Sequence, residues 1–420
     1  MSERTFPEAL CFWTLVLTWP FYFIGGLYVV GPVLVWSLGL LTALSLYLGP
    51  ALGPGLRATG PVPGLCLMWI AGMLTLLVAL WVAYVQWGLG LGPAIKSTIG
   101  WAKGWAMIPL ALLAGAVLPI RRAPIIRGQC LVGLMTLVLL PPMLVARSVG
   151  LPEKLFTSPL QVIGGPGPEY FSIYLYIVDP ESGATRWQFF APWAPFAGLL
   201  GTVMILFALE EKSRLFRLAG LVAGLAMIVL SASRMSLVAV VVCTLVPRLM
   251  PHLAHSVAWR LAAVAAAAMA VIGEQVLGLV NDSIRSFKEA RASSSRVRAT
   301  LQDIAWQRWQ SEAIWFGHGE VERGPHIVEF MPIGSHHTWY GLLFVKGLVG
   351  FLGLAIPLVY HFIRGALDAV RGPRGRLPFG LLLQIVILTF GENLEIEVYL
   401  FWPALVLLGR HLREMERAGV

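Results

Sequence analysis

Charged residues are scarce in this chain, and their scarcity sets aside a soluble protein. Asp, Glu, Lys and Arg make up 13% of its 420 residues and hydrophobic residues 57%, whereas soluble domains carry about 25% charged residues. A large soluble core would need its apolar residues broken into short amphipathic elements. The segments 131–145 and 261–280 show no such break, so the composition predicts a polytopic membrane protein.

Cysteine is rare, and the residue patterns of metal sites and of several enzyme classes are missing. The sequence contains no CxxC pair, HExxH motif, P-loop, GxSxG element or paired-carboxylate motif. His318 and His326 are too loosely spaced to form a zinc site with the other nearby histidines, and Gly317-His-Gly319 predicts a turn. We therefore expect no metal and no cofactor. The cysteines are expected to be small buried side chains; they are Cys11, Cys66, Cys130 and Cys243.

The net charge of +9 indicates membrane orientation and not nucleic-acid binding. No run of Lys and Arg with interleaved aromatic residues resembles a nucleic-acid groove. The basic residues instead gather on one side, which the positive-inside rule makes cytoplasmic together with both termini. Their positions are 121–127, 212–217, 248–260, 364–376 and the tail 410–417.

Long apolar runs are what the sequence has in abundance. Windows of about 20 apolar residues predict about twelve transmembrane helices. The first run is interpreted as a helix and not as a cleaved signal peptide, because no small-residue cleavage site follows it. The whole chain, 1–420, is then one all-α integral membrane domain. The predicted spans are 8–28, 31–49, 64–88, 104–120, 128–148, 189–209, 217–232, 235–250, 260–280, 338–361, 377–391 and 396–410.

Two long loops, 149–188 and 281–337, face the opposite side in this topology, which is the periplasm or cell exterior. Long loops are translocated regardless of charge, so the arginines of the second loop agree with this placement. In the first loop, alternating residues from Tyr170 run into a turn signal and predict a short hairpin. In the second, an apolar stripe over 283–316 predicts a helix that lies along the membrane interface.

Three arginines and a histidine pair meet near this outer face. Arg186 precedes an apolar span, Arg234 lies at a tight turn between two spans, and Arg298 opens the interfacial helix. An arginine in an apolar hairpin is costly unless an anion or water meets it, and snorkelling to lipid headgroups is the alternative. His336 and His337 end the polar loop. Together these residue types suit a site that binds a lipid-linked anion and moves a proton beside it.

A known family carries a similar pattern. The stretch Ser335-His-His-Thr-Trp-Tyr-Gly-Leu-Leu-Phe-Val-Lys-Gly-Leu-Val-Gly350 resembles the signature of the O-antigen ligase and O-antigen polymerase superfamily. That signature is Ser-His-Asn, an apolar helix and Gly-Leu-x-Gly. His336 takes the family's histidine place, and His337 replaces the usual Asn.

Four further segments resemble the family in the same order along the chain. Trp315-Phe-Gly-His-Gly319 is similar to its apolar-Gly-x-Gly turn, and Ser233-Arg234 to its Ser-Arg turn. Arg298-Ala-Thr-Leu301 is similar to its arginine element in the large outer loop. Arg186 stands where the family has an arginine before a span, although Pro192-Trp193 replaces the usual Pro-Asn. The resemblance covers about 180–352 and the topology of the whole chain.

The resemblance implies the membrane glycosyltransferase C fold and a metal-independent transfer at the periplasmic face of the bacterial inner membrane. The donor would be a glycan on undecaprenyl diphosphate. The acceptor would be lipid A–core for a ligase or a lipid-linked repeat for a polymerase, with a chain-length regulator as a further partner. Arg186, Arg234 and Arg298 would bind the diphosphate. His336, with His337 sharing or replacing it, would activate or orient the acceptor hydroxyl, for which an ordinary histidine pKa of about 6.5 is suitable.

Several side chains near the site have two interpretations. Trp306, Trp309 and Trp339 would stack on sugar faces or anchor the protein among lipid headgroups. Glu392, in the outer hairpin 391–397, would be an acceptor-side carboxylate or part of a solvated turn, and the turn is the favoured interpretation.

Ligase and polymerase are hard to separate, but the departures at 337 and 191–193 slightly favour a polymerase of O-antigen or exopolysaccharide. A transporter or flippase for a polysaccharide lipid is the main alternative. It would predict broken helices and charges deep within spans, whereas the midspan regions are expected to be almost free of charge. A membrane acyltransferase with His336 as its base would need an acyl-donor site that no segment identifies.

Overall fold

A computed structural model describes residues 4–51, 53–179, 183–254, 292–334 and 336–417. The predicted span 260–280 and the first part of the predicted loop 281–337 lie outside the described residues. The helices are α1 Phe6–Val16, α2 Thr18–Phe23, α3 Leu27–Leu48, α4 Gly64–Gln86, α5 Leu91–Lys103, α6 Met107–Val117, α7 Arg122–Val145, α8 Ala194–Glu210, α9 Arg214–Leu230, α10 Arg234–Leu249, α11 Ala292–Glu312, α12 Thr338–Arg371, α13 Arg376–Gly391 and α14 Leu394–Arg417. The strands are β1 Lys154–Thr157, β2 Ser172–Tyr174, β3 Ile177–Val178 and β4 Thr185–Arg186.

The chain is a mostly helical, membrane-embedded protein, as its composition predicts. Among the described residues, seven helical segments are long and apolar enough to cross a membrane. Many of their outward side chains are exposed and apolar, as in Val85 and Val138, because lipid and not water covers them. The segments are Leu27–Leu48, Gly64–Gln86, Leu91–Val117, Arg122–Val145, Arg234–His252, Thr338–Arg371 and Pro373–Gly391.

The first predicted span, 8–28, is interrupted. It forms α1 and α2, which meet at Leu17, and α3 begins directly after Gly25 and Gly26. Thr5 and Glu8 form a capping box that starts α1, which satisfies amides that a helix end would otherwise leave unpaired.

The basic clusters that predict the cytoplasmic side also hold the helix ends together. Glu8 is buried and accepts hydrogen bonds from the backbone amide of Arg121 at 2.8 Å and from its guanidinium at 2.6 Å. Arg127 of α7 pairs with the buried Glu211 at the end of α8, at 2.7 Å. These pairs fix α1, α7 and α8 relative to one another at one end of the helix bundle.

Close helix packing depends on glycine. Gly115 of α6 and Gly409 of α14 lie so close to the opposite backbone that a Cβ on either would overlap a main-chain carbonyl. Gly201 of α8 and Gly224 of α9 approach each other in the same way. Small residues at such crossings let membrane helices gain packing contacts that lipid cannot supply.

The loop 149–188 forms two antiparallel pairs, β1 with β2 and β3 with β4. The second pair contains the short hairpin that the alternating pattern predicts. Ser158 donates a hydrogen bond to the carbonyl of Ile24 at 2.8 Å, and the hydroxyl of Tyr22 accepts one from the amide of Tyr174 at 2.8 Å. The loop is therefore fixed onto the α2–α3 junction.

Candidate functional site

The start of α12 meets the connection between α13 and α14, and the predicted site residues gather there. The hydroxyl of Thr338, the first residue of α12, donates to the carbonyl of Glu392 at 2.8 Å and accepts from the amide of Leu394 at 2.9 Å. These bonds place His336 and His337, which directly precede α12, beside Glu392.

Glu392 is almost wholly enclosed, with 1% of its surface exposed. The indole of Trp193 donates a hydrogen bond to Oε2 at 3.1 Å, and Oε1 has no hydrogen-bond partner among the described residues. Burial raises the pKa of this carboxyl to about 7, although the positive charge of Arg298 and the bond from Trp193 act in the opposite direction. The favoured prediction of a solvated turn is therefore wrong, because helices distant in sequence cover the hairpin.

The two histidines are neutral near pH 7. Burial, together with the positive charge of Arg298, lowers the pKa of His336 to about 4, and burial lowers that of His337 to about 4. The expectation of an ordinary histidine pKa is therefore wrong for both rings. His336 has a left-handed backbone with φ 62°, a conformation that few non-glycine residues adopt.

The ring of His337 contacts two aromatic side chains. Its ring lies edge-on to Tyr340 at 4.7 Å and to Phe390 at 5.8 Å between ring centroids. Its Nδ1 has no hydrogen-bond partner within the part of the chain that the structure describes. The two neighbouring histidines thus have different surroundings, and only the pKa of His336 responds to Arg298.

Arg186 is anchored on the turn that carries Arg234. It lies on β4 with 7% of its surface exposed, and its Nε donates to the carbonyl of Ser231 at 3.0 Å. Its Nη1 lies 3.4 Å from Oδ2 of Asp179. Ser231 follows α9 and Arg234 begins α10, so one turn brings the two predicted arginines into the same region.

The start of α10 also lies against the α13–α14 connection. A Cβ on Gly391 would overlap the side chain of Met235. Met235 follows Arg234, and Gly391 precedes Glu392. The Arg186–Arg234 turn is therefore contiguous with the region that contains Glu392 and the histidines.

Arg298 lies on α11, the helix that the apolar stripe predicts. The buried Leu301 and Ala305 pack α11 onto the loop that precedes α12 and onto α12 itself. This packing brings the charge of Arg298 close enough to affect both His336 and Glu392. Arg298 lies within α11 and does not open it, because the described part of the helix already includes Ala292.

The three predicted tryptophans have different positions. The rings of Trp306 and Trp309 lie 4.9 Å apart on α11, and Trp306 is 41% exposed, facing Tyr340. Trp339 instead hydrogen-bonds Oγ1 of Thr389 at 3.0 Å. Trp339 therefore holds α12 against α13, whereas Trp306 keeps a face free for contact.

The turn predicted at Gly317-His-Gly319 lies slightly earlier, at 314–316, and the segment 314–319 fills a break in α12. Gly347 has φ 61° and ψ −164°, which interrupts the helix. The carbonyls of Phe344 and Val345 accept from the amides at 318 and 319 at 2.8 and 2.9 Å. The amides of Leu348 and Val349 donate to the carbonyls at 314 and 315 at 2.8 and 3.0 Å. In an unbroken helix those four groups would bond to one another.

His318 has a structural place within this turn. Its ring is stacked between Trp87 and Phe344, with centroids 5.5 and 4.3 Å away. Its Nε2 lies 2.8 Å from a carboxylate oxygen of Glu312. Arg308 pairs with the same Glu312 at 2.9 Å and with Glu322 at 2.6 Å. His318 and Arg308 therefore stabilise the segment between α11 and α12.

Two buried charges lie beside the site; sequence reasoning missed Lys346, whereas Glu397 stands in the hairpin 391–397 that it singled out. Lys346 lies within the predicted span 338–361, directly before the helix break, and pairs with Glu395 at 3.6 Å. Glu397 is 0% exposed, and neither of its oxygens has a hydrogen-bond partner among the described residues. The expectation that midspan regions are almost free of charge is therefore wrong for this span. A lysine within an apolar run was the available signal.

Comparison of the sequence with models of protein families finds none that matches, and a search of curated proteins finds no match either.

Proposed function

We propose that this protein is a metal-independent membrane glycosyltransferase that transfers a glycan from undecaprenyl diphosphate to a hydroxyl of an acceptor glycolipid. The observation that carries this proposal is the convergence of Arg298, His336 and Glu392 beside the turn that holds Arg186 and Arg234. These residues come from five segments far apart in the sequence. Buried structural charges are usually paired one to one, whereas this region combines several cations with proton acceptors.

The chemistry of the transfer needs both kinds of group. Loss of a diphosphate leaving group develops negative charge, which arginines neutralise by paired hydrogen bonds in place of a metal. The acceptor hydroxyl must lose a proton as it attacks, and a neutral histidine or an ionised carboxylate accepts it. Arg186, Arg234 and Arg298 are proposed to bind the diphosphate, and His336 to orient or activate the hydroxyl.

The finer features of the proposal follow the family resemblance. They are a glycosyltransferase C-like fold with about twelve spans, a place in the bacterial inner membrane, and a site at the periplasmic face. The acceptor is proposed to be a lipid-linked repeat, which makes the protein a polymerase, with lipid A–core as the ligase counterpart. A chain-length regulator is the proposed protein partner.

The test is surface glycan analysis of a deletion strain that expresses the wild type, His336→Ala or His337→Ala at matched protein level. His326→Ala is the control, because that histidine is exposed on the outer loop. We expect His336→Ala to lose the long-chain glycan. Accumulated single lipid-linked repeats would identify a polymerase, and unattached full-length polymer a ligase. Normal glycan from His336→Ala would refute the role of that residue.

A polysaccharide-lipid transporter is the second candidate, and one observation favours it. The break of α12 at Gly347 beside the buried Lys346–Glu395 pair combines a discontinuous helix with a buried charge, a combination found in transporters. Two assays with purified protein and lipid-linked repeats separate the two functions. Glycan transfer in detergent, where no sealed membrane exists, supports the transferase. In reconstituted vesicles, movement of the lipid-linked repeat across the membrane without glycan transfer supports the transporter.

A further inference from the structure

We propose that Glu392 is the group that takes the proton from the acceptor hydroxyl, an assignment that rests on the proposed transferase function. The hydrogen bonds of its carboxylate support this role. One carboxylate oxygen is held by Trp193 at 3.1 Å, while the other has no hydrogen-bond partner among the described residues although the side chain is buried. A buried polar atom without a partner requires an explanation, and a hydroxyl of the acceptor sugar would supply the missing donor.

The backbone around Glu392 is built to hold this side chain in place. Thr338 binds the carbonyl of Glu392 and the amide of Leu394. The same threonine begins α12, so the carboxylate and His336 are fixed to one support. Met235 packs against Gly391 from the start of α10. Three helix ends therefore position this carboxylate, as a proton-transferring group requires.

The protonation behaviour of the candidates agrees with this choice. The pKa of Glu392 is raised by burial to about 7, close to ambient pH, where a general base is most effective. The pKa values of His336 and His337 are lowered by burial to about 4, so both rings are weaker bases. His336 then acts by orienting the hydroxyl, since a neutral ring can donate or accept one hydrogen bond.

The proposed reaction is a direct displacement at the anomeric carbon of the donor sugar. The acceptor oxygen forms a bond to the anomeric carbon of the donor sugar while its proton passes to Oε1 of Glu392. The bond between that carbon and the phosphate oxygen breaks, and the electron pair leaves with undecaprenyl diphosphate. Arg298 stands near the carboxyl, and its charge favours the ionised form that accepts the proton. The proton then returns to water when the products leave.

Several other titratable groups lie in the region of this carboxyl, and Arg298 and Glu397 interact with its charge. The cationic Arg298 favours the ionised form, and negative charge on Glu397 disfavours it. The neutral histidines contribute no charge near pH 7. The groups, with the elements that carry them, are Arg298 on α11, His336 and His337 before α12, Arg234 at the start of α10, and Glu397 on α14.

The test measures initial rates of glycan transfer by purified protein between about pH 5 and 9. Glu392→Gln keeps the size of the side chain but cannot accept the proton, and Glu320→Gln on the exposed outer loop is the matched control. We expect Glu392→Gln to lose a factor of about 10² to 10⁴ in kcat with little change in the KM for donor. The wild-type rate should fall as the pH drops below about 7, and Glu392→Gln should lose this dependence.

The results separate this assignment from the proposed function. If the wild type transfers no glycan at any pH, the transferase function itself fails. If it transfers glycan and Glu392→Gln does so within about threefold, with the same pH profile, another group takes the proton. Should the Gln variant fail to accumulate, Glu392→Asp decides. If Glu392→Asp still transfers glycan and its rate falls at a different acidic pH from that of the wild type, the assignment is supported. If the pH dependence of its rate is unchanged, the assignment is overturned.

Discussion

Replacement of Glu392 by Gln should make the protein more stable while it makes it less active. Burial raises the pKa of this carboxyl from the ordinary 4.5 to about 7. The folded protein therefore retains the proton at pH values where the unfolded chain has lost it. Since one pH unit corresponds to about 1.4 kcal/mol, this difference destabilises the wild type by about 3 kcal/mol at high pH.

The pH dependence of this effect has a definite sign. Below pH 4.5 the carboxyl is protonated in both states, so wild type and variant should unfold alike. Between pH 4.5 and about 7, ionisation of the unfolded chain lowers the stability of the wild type as the pH rises. Above that range the whole difference of about 3 kcal/mol is present. Gln does not ionise and should lack the decline.

The assay is thermal unfolding of both proteins in one detergent, at a series of pH values. The melting temperature of Glu392→Gln should exceed that of the wild type by a few degrees at about pH 8 and by nothing near pH 4.5. The Glu320→Gln control should follow the wild type throughout. If wild type and Glu392→Gln differ by the same amount at every pH, the carboxyl is not held in its protonated form by burial.

Two further substitutions test the packing of the fold, one at the break in α12 and one at the ion pair between α7 and α8. Gly347→Ala should lower the free energy of unfolding by about 1–3 kcal/mol, because its backbone angles suit glycine and a Cβ would overlap the backbone of Trp315. Gly372→Ala, which has open space around it, is the control, and equal melting temperatures for the two variants would contradict the break in α12. Arg127→Leu should cost about 1–3 kcal/mol, because it leaves the buried Glu211 without its guanidinium partner. A second substitution, Glu211→Gln, should recover part of that loss, and no recovery would mean that Arg127 acts through packing alone.

Much of the site could be predicted because its residues interrupt apolar surroundings. Arg186, Arg234 and Arg298 are conspicuous in the sequence for that reason, and the structure brings them to one region. The prediction of a hairpin that ends at Arg186 also succeeded, and a turn lies within three residues of the one predicted at Gly317-His-Gly319, since both depend on local residue preferences. Such predictions depend only on residues adjacent in the sequence, so contacts between distant segments change them little.

The electrostatic character of the site could not be predicted, because elements far apart in sequence produce it. Glu392 stands in a polar hairpin, but Trp193 before α8, Met235 of α10 and Thr338 of α12 contact that hairpin and bury the carboxyl. Burial also changes His336 from an ordinary histidine to a neutral one. The break at Gly347 was missed as well, since a glycine in an apolar run is compatible with a continuous helix. The segment that bonds to it, 314–319, lies about thirty residues earlier in the chain, and hydrophobic periodicity describes only neighbouring residues.

The segment 314–319, which fills the break in α12, also limits how this part of the protein can move. Peeling residues 314–319 away would leave the carbonyls of Phe344 and Val345 and the amides of Leu348 and Val349 without partners. In an apolar setting each unpaired group costs several kcal/mol, so this path is closed at ordinary temperature. Residues 314–319 therefore bridge the two parts of the interrupted helix. Any movement of residues 314–319 must therefore carry the adjoining part of α12 with it.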